Sequence, residues 1–433
     1  MLLVLCPLLC QLLAYVASST PPTPIHTDGV VALLSGCAND PRRCARALAD
    51  ASTTPVPTLE AVKFLLTFAG TALALDFAIP GPTEDGIETQ TGHMPKYVNN
   101  GVGHCVVFSA LFLAGSNFGL GLYDFGVFYD VFPGCIATLN IFGVVLAAFL
   151  QYKGLHFPST ADSGTTGSFL ADFAWGTELY PKIFGVDIKR YVNCRFSMTF
   201  WQLAGLSFAY KSFTLHGEID WGLTLSAVSQ YLYLFKFFMW EIGYLRSIDI
   251  IVDRAGWEIQ WGCLVFVPSV YTFCTRILVR SPSQLELPVA AAIFACGFAG
   301  VILNYLADEQ RQQFRASGGT MKIFGRDPVF VTARYTVIKD GLPKPRTSLL
   351  LASGFWGPAR HFHYIFELMA AYSWCLLANP FVNGALPMLY CTFLTILLLD
   401  RAKRDEGKCL KKYGEDFKEY MRLVPYLVIP GVY

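Results

Sequence analysis

Ten apolar stretches constrain this chain more than any other feature of its sequence. A helix needs about 20 apolar residues to cross the hydrocarbon core of a bilayer. Stretches near that length lie at 2–17, 60–79, 103–122, 133–151, 197–213, 222–240, 258–279, 287–306, 362–378 and 381–399. Backbone polar groups in lipid must be satisfied within the segment, so helices are expected and not open strands. The sequence predicts an all-α, polytopic membrane protein with about ten transmembrane helices.

The amino-acid composition agrees with a membrane protein and gives no support for a nucleic-acid-binding protein or a cysteine metal site. Of the 433 residues, 54% are hydrophobic and 15% are charged, whereas soluble chains carry roughly 25% charged residues. A net charge of +1 gives no basis for a nucleic-acid partner. The 13 cysteines include no CxxC pair, so no metal site is predicted from them.

Lysine and arginine set the expected orientation. They are concentrated in the segment 307–347 and in the tail after residue 400, and two predicted helices separate these segments. Both segments should therefore lie on one side, which the positive charge identifies as cytosolic. With ten spans the N-terminus is also cytosolic. The run Met1–Val16 lacks a basic leading region, which favours a first transmembrane helix over a signal peptide.

The first loop, at about 18–59, is then predicted to be lumenal. It contains Cys37 and Cys44, which would sit in an oxidising compartment. A disulfide between them and two free thiols remain equal alternatives. No internal repeat stands out, so the sequence predicts one integral domain over residues 1–433 with a small cytosolic lobe.

Two arginines follow the eighth apolar stretch in the sequence DEQRQQFR, Asp308–Arg315. Arg311 and Arg315 are four residues apart, so they share one helix face. Two guanidinium groups on one face suit a phosphate group, such as the 2′-phosphate of NADPH. The alternative is a solvated basic face at the end of a membrane helix, which the pattern alone favours.

A second constellation is LLLASGFWGPARHFHY, Leu349–Tyr364. Small residues surround Trp356, which would let the backbone approach a ligand while the indole stacks on it. His361 and His363 at i, i+2 are poorly placed as metal ligands on a helix, so no metal is predicted here.

The tail from Asp400 to Tyr433 is the third constellation. Asp405, Cys409 and Lys412 fall at i, i+4 and i+7, on one helical face, and Gly414 is expected to interrupt the helix. An acid, a base and aromatic rings on one face could hold a nucleotide. An ordinary charged helix beside the membrane is the alternative.

The segment Trp240–Trp257 is unusually polar for the end of an apolar helix. It contains Glu241, Tyr244 and Asp249, and ionisable groups at membrane depth are costly enough to be functional candidates. Arg246 could pair with Asp249, which would make part of the cluster structural. The loop Phe157–Phe196 also has a composition that is unusual for a simple linker. It contains Gly176, Glu178, Pro181, Asp187 and Arg195. The composition does not indicate what the loop binds.

Together these motifs resemble the family of sterol Δ14-, Δ7- and C24(28)-reductases. The block RAKRDEGKCLKKYG followed by VPYLVIPGVY is similar to that family's C-terminal signature, and SGFWGPARHFHY to its second signature. FPSTADSG, FAWGTELYPKIFGVDIK, WEIGYLRSIDIIVDRAGW and WGCLVFVPSVYT most resemble the sterol Δ7-reductases of animals and plants. The likeness is weak before about residue 90.

The resemblance implies a ten-helix fold that binds NADPH at its cytosolic C-terminal part. Helices 1–8, at about 1–306, would hold the sterol pocket, and 307–433 would bind the nucleotide. The implied nucleotide contacts are Arg311, Arg315, Leu351, Trp356, His363, Tyr364, Asp405, Cys409, Lys411, Lys412, Tyr413 and Tyr420. Arg311 stands where some relatives have Lys, and His363 where many have Asn. Both replacements keep the ability to donate hydrogen bonds.

The implied reaction is NADPH-dependent reduction of the C7–C8 double bond of a 5,7-diene sterol. A general acid would protonate the ring before hydride arrives, because a neutral alkene accepts hydride poorly. Glu241 and Tyr244 are the candidate acids, and Asp249 is the candidate orienting group. The sterol would enter from the bilayer beside Trp257–Pro268, in the endoplasmic reticulum membrane, where other sterol-pathway enzymes are possible partners.

Two alternatives remain from the sequence. A Δ14- or C24(28)-reductase of the same family would have the same nucleotide site. A non-catalytic sterol-binding membrane protein would be a different class, and such relatives usually carry an additional long domain.

Overall fold

The chain is mostly helical in the computed structural model, which describes residues 2–16, 56–89, 91–339 and 342–432. In chain order the α-helices are α1 Leu2–Val16, α2 Leu59–Ala78, α3 Gly101–Gly115, α4 Val127–His156, α5 Phe169–Trp175, α6 Ile188–Arg190, α7 Met198–His216, α8 Trp221–Met239, α9 Glu241–Leu245, α10 Ile248–Ile251, α11 Trp257–Trp261, α12 Phe273–Arg276, α13 Leu287–Ala316, α14 His363–Leu376, α15 Pro380–Asn383, α16 Leu389–Tyr413 and α17 Glu415–Leu423. The strands pair antiparallel as β1 Thr83–Asp85 with β2 Lys96–Val98, β3 Lys182–Ile183 with β4 Val186–Asp187, and β5 Phe330–Lys339 with β6 Leu342–Leu351. Cys37 and Cys44 lie outside the described residues.

Four of the described helical segments are long and apolar enough to cross a membrane. They are Leu59–Ala78, Val127–His156, Trp257–Val279 and Leu287–Ala316. A helix lies at each of the ten predicted places, which confirms helices over strands. The count of ten spans and the cytosolic position of the C-terminal part stay predictions.

Two predicted helix boundaries are wrong for identifiable reasons. The helix expected to reach residue 122 ends at Gly115, because the following loop folds back and the Tyr123 hydroxyl donates a hydrogen bond to the Phe112 carbonyl at 2.7 Å. The last long helix begins at Leu389 and not at 381. Gly384, at φ 69°, and Pro387 separate it from the short helix α15, since neither residue continues a helix well.

Two helix boundaries are set by residues that commonly cap helices. The Asp220 carboxylate accepts from the backbone N–H groups of Gly222 and Leu223 and so caps the start of α8. Gly414, at φ 56°, closes α16, and α17 starts at the next residue. The predicted interruption at Gly414 is therefore confirmed.

The fold divides into two compact units. Unit 1 is Met1–Ala290 with Leu377–Pro387, and unit 2 is Ala291–Leu376 with Met388–Tyr433. The interior of unit 1 contains an aromatic cluster in which Phe128 meets Phe64 and Phe200 edge to face, with ring centroids 4.9 and 4.8 Å apart. Such pairs add to the stability that burial alone provides.

Two π-helical segments meet inside unit 1. Tyr191–Ser197 leads into α7, and Gly262–Tyr271 joins α11 towards α12. The Ser197 hydroxyl donates to the Cys263 carbonyl at 2.7 Å, and the Asn193 amide donates to the Cys263 sulfur at 3.1 Å. π-Helical turns are uncommon and often mark functional sites. The residues on these two segments are therefore candidates for a functional role.

The long loop before α6 is fixed to the polar segment around α9 and α10. The Lys189 ammonium group, buried in unit 1, donates to the carbonyls of Leu179, Ile250 and Asp253. Gly176, at φ 101°, lies against Gly256 so closely that a Cβ on either residue would overlap the other's backbone. These contacts hold two polar segments together at one end of the bundle.

Unit 2 is built on the β5–β6 hairpin and the helices that pack on it. The register places Phe330 opposite Leu351 and Lys339 opposite Leu342. The α17 helix packs on the hairpin through Phe417 and Tyr420, which share a buried cluster with Val331, Ala333, Leu350 and Val424. The hairpin and the tail therefore form one core.

Candidate functional site

Arg311, Trp356 and His363 form a stack in unit 2. The Arg311 guanidinium lies 4.0 Å from the centre of the Trp356 ring, and the His363 ring lies 4.7 Å from the same indole. The indole N–H donates to the Ala307 carbonyl at 2.8 Å, and Asp308 accepts from Arg311 at 3.1 Å. The guanidinium is thus fixed by both an aromatic face and a carboxylate.

The stack continues towards α14. The Tyr364 ring lies 4.5 Å from His363 and 5.0 Å from His361, nearly parallel to the latter. Leu351, at the end of β6, is 3% exposed and packs with Trp356 and Phe314. Leu351 and Trp356 therefore support the site from within the core, and the rings of His363 and Tyr364 are only half-buried.

Tyr420 is buried in unit 2, and three arginines act on it electrostatically. Burial raises the pKa of the Tyr420 hydroxyl to about 12, while the charges of Arg311, Arg360 and Arg315 act in the opposite direction. The Nε of Arg315 donates to the Leu349 carbonyl at 3.2 Å. Guanidinium groups bind anions well, and of these three Arg311 and Arg360 also pair with Asp308 and Glu406.

Arg360 is anchored by the tail. Its Nη1 donates to the carbonyls of Val424 and Pro425 at 2.7 and 2.9 Å, and its Nη2 pairs with Glu406. Since the side chain is 7% exposed, Arg360 holds the chain end in place and also contributes charge near Tyr420.

Asp405, Cys409 and Lys412 lie on α16, as predicted. The Cys409 thiol is 3.9 Å from Asp405 Oδ2. Burial, with the Asp405 charge beside it, raises the pKa of Cys409 to about 12. The thiol therefore stays protonated, and Cys409 fills space and donates a weak hydrogen bond rather than acting as a nucleophile.

Lys412 lies between two tyrosine rings. Its ammonium nitrogen is 4.1 Å from the centre of the Tyr335 ring and 5.0 Å from that of Tyr413, and the two rings are perpendicular with centroids 5.5 Å apart. Lys411, the neighbouring candidate, is exposed. Lys412 is exposed as well, and its cation–π contacts with the two rings favour one position for its charge.

His361 is buried beside Asp405, with Nε2 3.7 Å from the carboxylate. Burial lowers the pKa of His361 to about 4; the Asp405 charge opposes this shift, and the arginines Arg311, Arg360 and Arg401 add to it. The imidazole is thus neutral near pH 7. The positive charge of this part of unit 2 comes from its arginines and lysines.

The candidate acid Glu241 is fully buried in unit 1 within a network of charges. Arg195 Nη1 lies 2.9 Å from Glu241 Oε1, and Arg195 Nη2 donates to Oε2 at 3.0 Å. Arg190 Nε donates to Oε1 at 3.4 Å. Both carboxylate oxygens therefore accept from guanidinium groups.

Asp76 and Asn100 complete this network. Asp76 Oδ1 accepts from Arg195 Nε at 2.7 Å and pairs with Arg190 at 3.0 Å. The Asn100 amide oxygen accepts from both arginines, at 3.0 and 2.7 Å. Two arginines and two carboxylates thus balance in charge, which is the condition for burying them together.

Tyr244 and Asp249 lie near this network in the chain but have different surroundings. The Tyr244 ring is half-buried and lies 5.3 Å from Phe237. Asp249, on α10, is also half-buried. Arg246 Nη2 donates to the Asp85 carbonyl at 2.9 Å and lies 3.6 Å from Glu84, and its suggested pairing with Asp249 stays a prediction.

Sequence reasoning missed several residues of these arrangements, including Asp76, Arg190, Asn100 and Tyr335. Asp76 lies near the end of the apolar run 60–79, whose other acid is Glu60 at its start, and an acid inside an apolar run is a signal that could have been used. Arg190 is five residues before Arg195, at the end of α6, and the π-helical segment that carries Arg195 begins at the next residue. Tyr335 gave no signal, because its contact with Lys412 depends on how the hairpin meets α16.

Comparison with known proteins gives consistent matches over most of the chain. A family model described as the Ergosterol biosynthesis ERG4/ERG24 family matches residues 45–433. A 7-dehydrocholesterol reductase from Arabidopsis thaliana is 38% identical over 385 residues, or 88% of this chain and 86% of the relative. A Delta(14)-sterol reductase from Methylotuvimicrobium alcaliphilum is 36% identical over 84% of this chain and 81% of the relative. A 7-dehydrocholesterol reductase from Xenopus laevis is 33% identical over 88% and 82%.

Proposed function

We propose a reaction for this chain from one established fact: it belongs to the Ergosterol biosynthesis ERG4/ERG24 family of sterol reductases. The reaction is the NADPH-dependent reduction of the C7–C8 double bond of a 5,7-diene sterol. The chain is an oxidoreductase of sterol biosynthesis by family, and the Δ7 position is the finer proposal. Similarity to 7-dehydrocholesterol reductases of a plant and an amphibian supports that position.

The observation that carries the nucleotide part of the proposal is the stack of Arg311 and His363 on Trp356, with Arg315 four residues from Arg311 on the same helix. Phosphates are bound by guanidinium groups, and a nucleotide also needs aromatic or apolar contacts for its rings. Unit 2 offers both, since His363 and Tyr364 continue the stack on Trp356. The residues present therefore fit a nucleotide with several phosphates.

In this proposal the residues of unit 2 bind and orient. Arg311 and Arg315 hold phosphate, and Lys412 adds a fixed charge from between its tyrosines. Asp405, Lys411, Tyr413 and Tyr420 are further contacts, while Leu351, Trp356 and Cys409 shape the pocket wall. NADPH, when bound, supplies the hydride.

The proton must come from the chain, and Tyr244 is the better of the two candidate donors. Both oxygens of Glu241 already accept hydrogen bonds from arginine, so a Glu241 proton would have to displace one of them. The Tyr244 side chain is half-buried, and its phenol hydroxyl can donate a proton. Asp249 is the proposed orienting group.

The proposed setting is the endoplasmic reticulum membrane, with several passes and a cytosolic C-terminus. The segments 307–347 and the tail after residue 400 carry the basic residues that support this orientation. A sterol is mostly apolar, so it would enter from the bilayer near Trp257–Pro268. Other enzymes of the same pathway are proposed partners.

The test is expression in a sterol-producing microbe that accumulates 5,7-dienes, followed by sterol profiling. We expect the ultraviolet band of the diene to disappear while the C5 double bond remains. Arg315→Ala should lose activity and still be inserted in the membrane, as checked by fractionation. An inserted wild-type chain that leaves every sterol unchanged would contradict the proposal and favour a non-catalytic sterol-binding protein.

A second candidate within the family is reduction of the Δ14 bond. The 36% identity to a Delta(14)-sterol reductase favours it specifically. Sterol profiling separates the two directly, because a Δ14-reductase would leave the 5,7-diene band intact and convert a 14-alkene. A reduced side chain would indicate the C24(28) position instead.

A further inference from the structure

Part of the long loop between α4 and α7 has large apolar side chains that none of the described residues of unit 1 covers. Phe169 and Leu170 are 73% and 64% exposed, and Phe184 is fully exposed. Elsewhere the same loop is tightly anchored, because buried Glu178 accepts from Lys153 Nζ at 2.8 Å and Lys189 fixes its end. The apolar side chains therefore project from an ordered loop, and an ordered apolar projection indicates a binding surface.

Phe184 occupies a position that costs free energy. It is the first central residue of the β3–β4 hairpin, where Ile183 pairs with Val186. Phe184 has φ 49° and Gly185 has φ 85°, the pattern of a turn that favours Asn-Gly or Gly-Gly. A residue with a Cβ in this region costs roughly 1–2 kcal/mol. No contact of the ring with a described residue of unit 1 offsets this cost, because the side chain is fully exposed.

The hairpin lies at the end of a candidate membrane span. Lys182, Gly185 and Val186 line a cavity of about 170 Å³ together with Asp76 and Phe77. Asp76 and Phe77 belong to the last turn of α2, and the apolar run of that helix ends at residue 79. Phe184 is therefore near the level at which hydrocarbon gives way to headgroups.

The Phe169–Leu170 pair has the same kind of position beside a second span. The Gln151 amide donates to the Phe169 carbonyl at 3.0 Å, and Gln151 is the last residue of the apolar run in α4. The adjacent Asp172 turns inwards and accepts from Thr165 and from Thr166. The start of α5 thus keeps its polar side inside and its apolar side out.

We propose that residues 157–187 lie on the bilayer surface, with Phe169, Leu170 and Phe184 inserted into the boundary between headgroups and acyl chains. Aromatic residues are enriched at this depth, and exposed Lys96 and Lys182 beside the hairpin can reach lipid phosphates. The occupant of the surface is the bilayer that the adjoining spans cross. This also gives a role to the loop whose composition alone indicated none.

The chain contains a matched control for Phe184. The pattern K-I-F-G-x-D occurs at Lys182–Asp187 and again at Lys322–Asp327. Phe324 also has φ 49°, and it is 71% exposed. However, its ring lies 5.5 Å from Phe355, and Ile323 packs on Phe314. Phe314 is eight residues, roughly 12 Å, beyond the end of the apolar run at 306. Phe324 should therefore be in water.

The experiment places trifluoromethyl-phenylalanine at one site at a time in the full chain, reconstituted in phosphatidylcholine nanodiscs. The sites are Phe184, Phe169, Phe324, Phe142 within the span of α4, and Glu415, whose side chain is 81% exposed. Fluorine relaxation is measured with 5-doxyl lipid and, separately, with a water-soluble gadolinium chelate. Because Phe184, Phe169 and Phe324 are exposed and nearly isosteric with the probe, folding should be preserved.

We expect the signals at 184 and 169 to be broadened by the doxyl lipid several-fold more than the signal at 324. Phe142 should define the lipid limit and the probe at 415 the water limit. If 184 and 169 respond to gadolinium as 415 does, and not to doxyl lipid, the loop faces water and the proposal is wrong. Equal broadening by the doxyl lipid at 184 and 324 would also overturn the proposal. The broadening would then be a property of the shared turn conformation and not of the position of residue 184 in the bilayer.

Discussion

The Arg195 guanidinium and the Glu241 carboxylate lie 2.9 Å apart with neither side chain exposed to solvent. Asp76 takes the second face of the same guanidinium at 2.7 Å. Burying charges is costly, and the cost is recovered only when every charge is paired. The network therefore fixes the mutual position of α2, α9 and the π-helical turn before α7.

Replacing Glu241 by glutamine should destabilise unit 1 strongly. The change leaves two buried arginines with a single carboxylate, and breaking such a pair costs about 3–5 kcal/mol. Chemical denaturation of the purified protein in detergent measures the loss. Glu415→Gln is the control, since the exposed Glu415–Lys418 pair should contribute less than about 1 kcal/mol. The coupling is tested with Arg195→Met, Glu241→Met and the double variant. If the loss of unfolding free energy in the double variant equals the sum of the two single losses, the two residues are not coupled.

Tyr244→Phe separates catalysis from stability. The variant should reduce turnover of the 5,7-diene by about 10²–10⁴-fold, the usual contribution of a general acid, and leave thermal unfolding unchanged. Tyr231→Phe is the matched control, because the Tyr231 hydroxyl bonds only side chains of unit 1, such as Ser109 at 3.2 Å. An active Tyr244→Phe, together with an inactive Glu241→Gln that folds, would assign the proton to Glu241.

Tyr335→Leu should weaken nucleotide binding through Lys412. Removal of the ring loses a contact of about 0.5–1 kcal/mol and frees the lysine side chain. We expect the KM for NADPH to rise about two- to fivefold with little change in kcat. Tyr335→Phe keeps the ring and should resemble the wild type. An unchanged KM in Tyr335→Leu would show that the position of Lys412 does not matter for the nucleotide.

The pH dependence of stability should contain a contribution from His361. Its pKa is about 4 in the folded chain and near 6.5 when unfolded. Between these values the unfolded state binds more protons, so stability is retained above pH 6.5 and falls as the pH decreases towards 4. Thermal unfolding between pH 7.5 and 5 should decline less steeply in His361→Gln. Parallel curves for the two proteins would contradict the prediction.

Features that depend on neighbours along the chain were predictable from sequence. Arg311 and Arg315 share a face because they are four residues apart in one helix, and Gly414 ends α16 because glycine tolerates positive φ. Asp405 and Cys409 are likewise neighbours through helical spacing alone. The apolar runs gave the helices because length and hydropathy are properties of each segment by itself.

Contacts between distant segments could not be predicted in this way. Arg195 reaches Glu241 and Asp76 across 46 and 119 residues, and no local pattern encodes such a distance. Arg246 lies 3.6 Å from Glu84, a contact that arises because the strand β1 lies beside it in space. The end of α3 and the start of α16 differ from the sequence prediction. Apolar residues continue through the turns that interrupt these two apolar runs, so hydropathy alone does not show where the helices stop and start.

The close contact of Gly176 with Gly256 limits how relatives can exchange parts. Neither residue accepts a side chain without overlap with the other's backbone, so the segments around residues 157–196 and 240–257 have to match each other at this contact. A chimera that takes only one of these segments from a reductase of different bond specificity could place a side chain at this contact and push the two backbones apart. Swapping both as a pair is the design that keeps the joint intact.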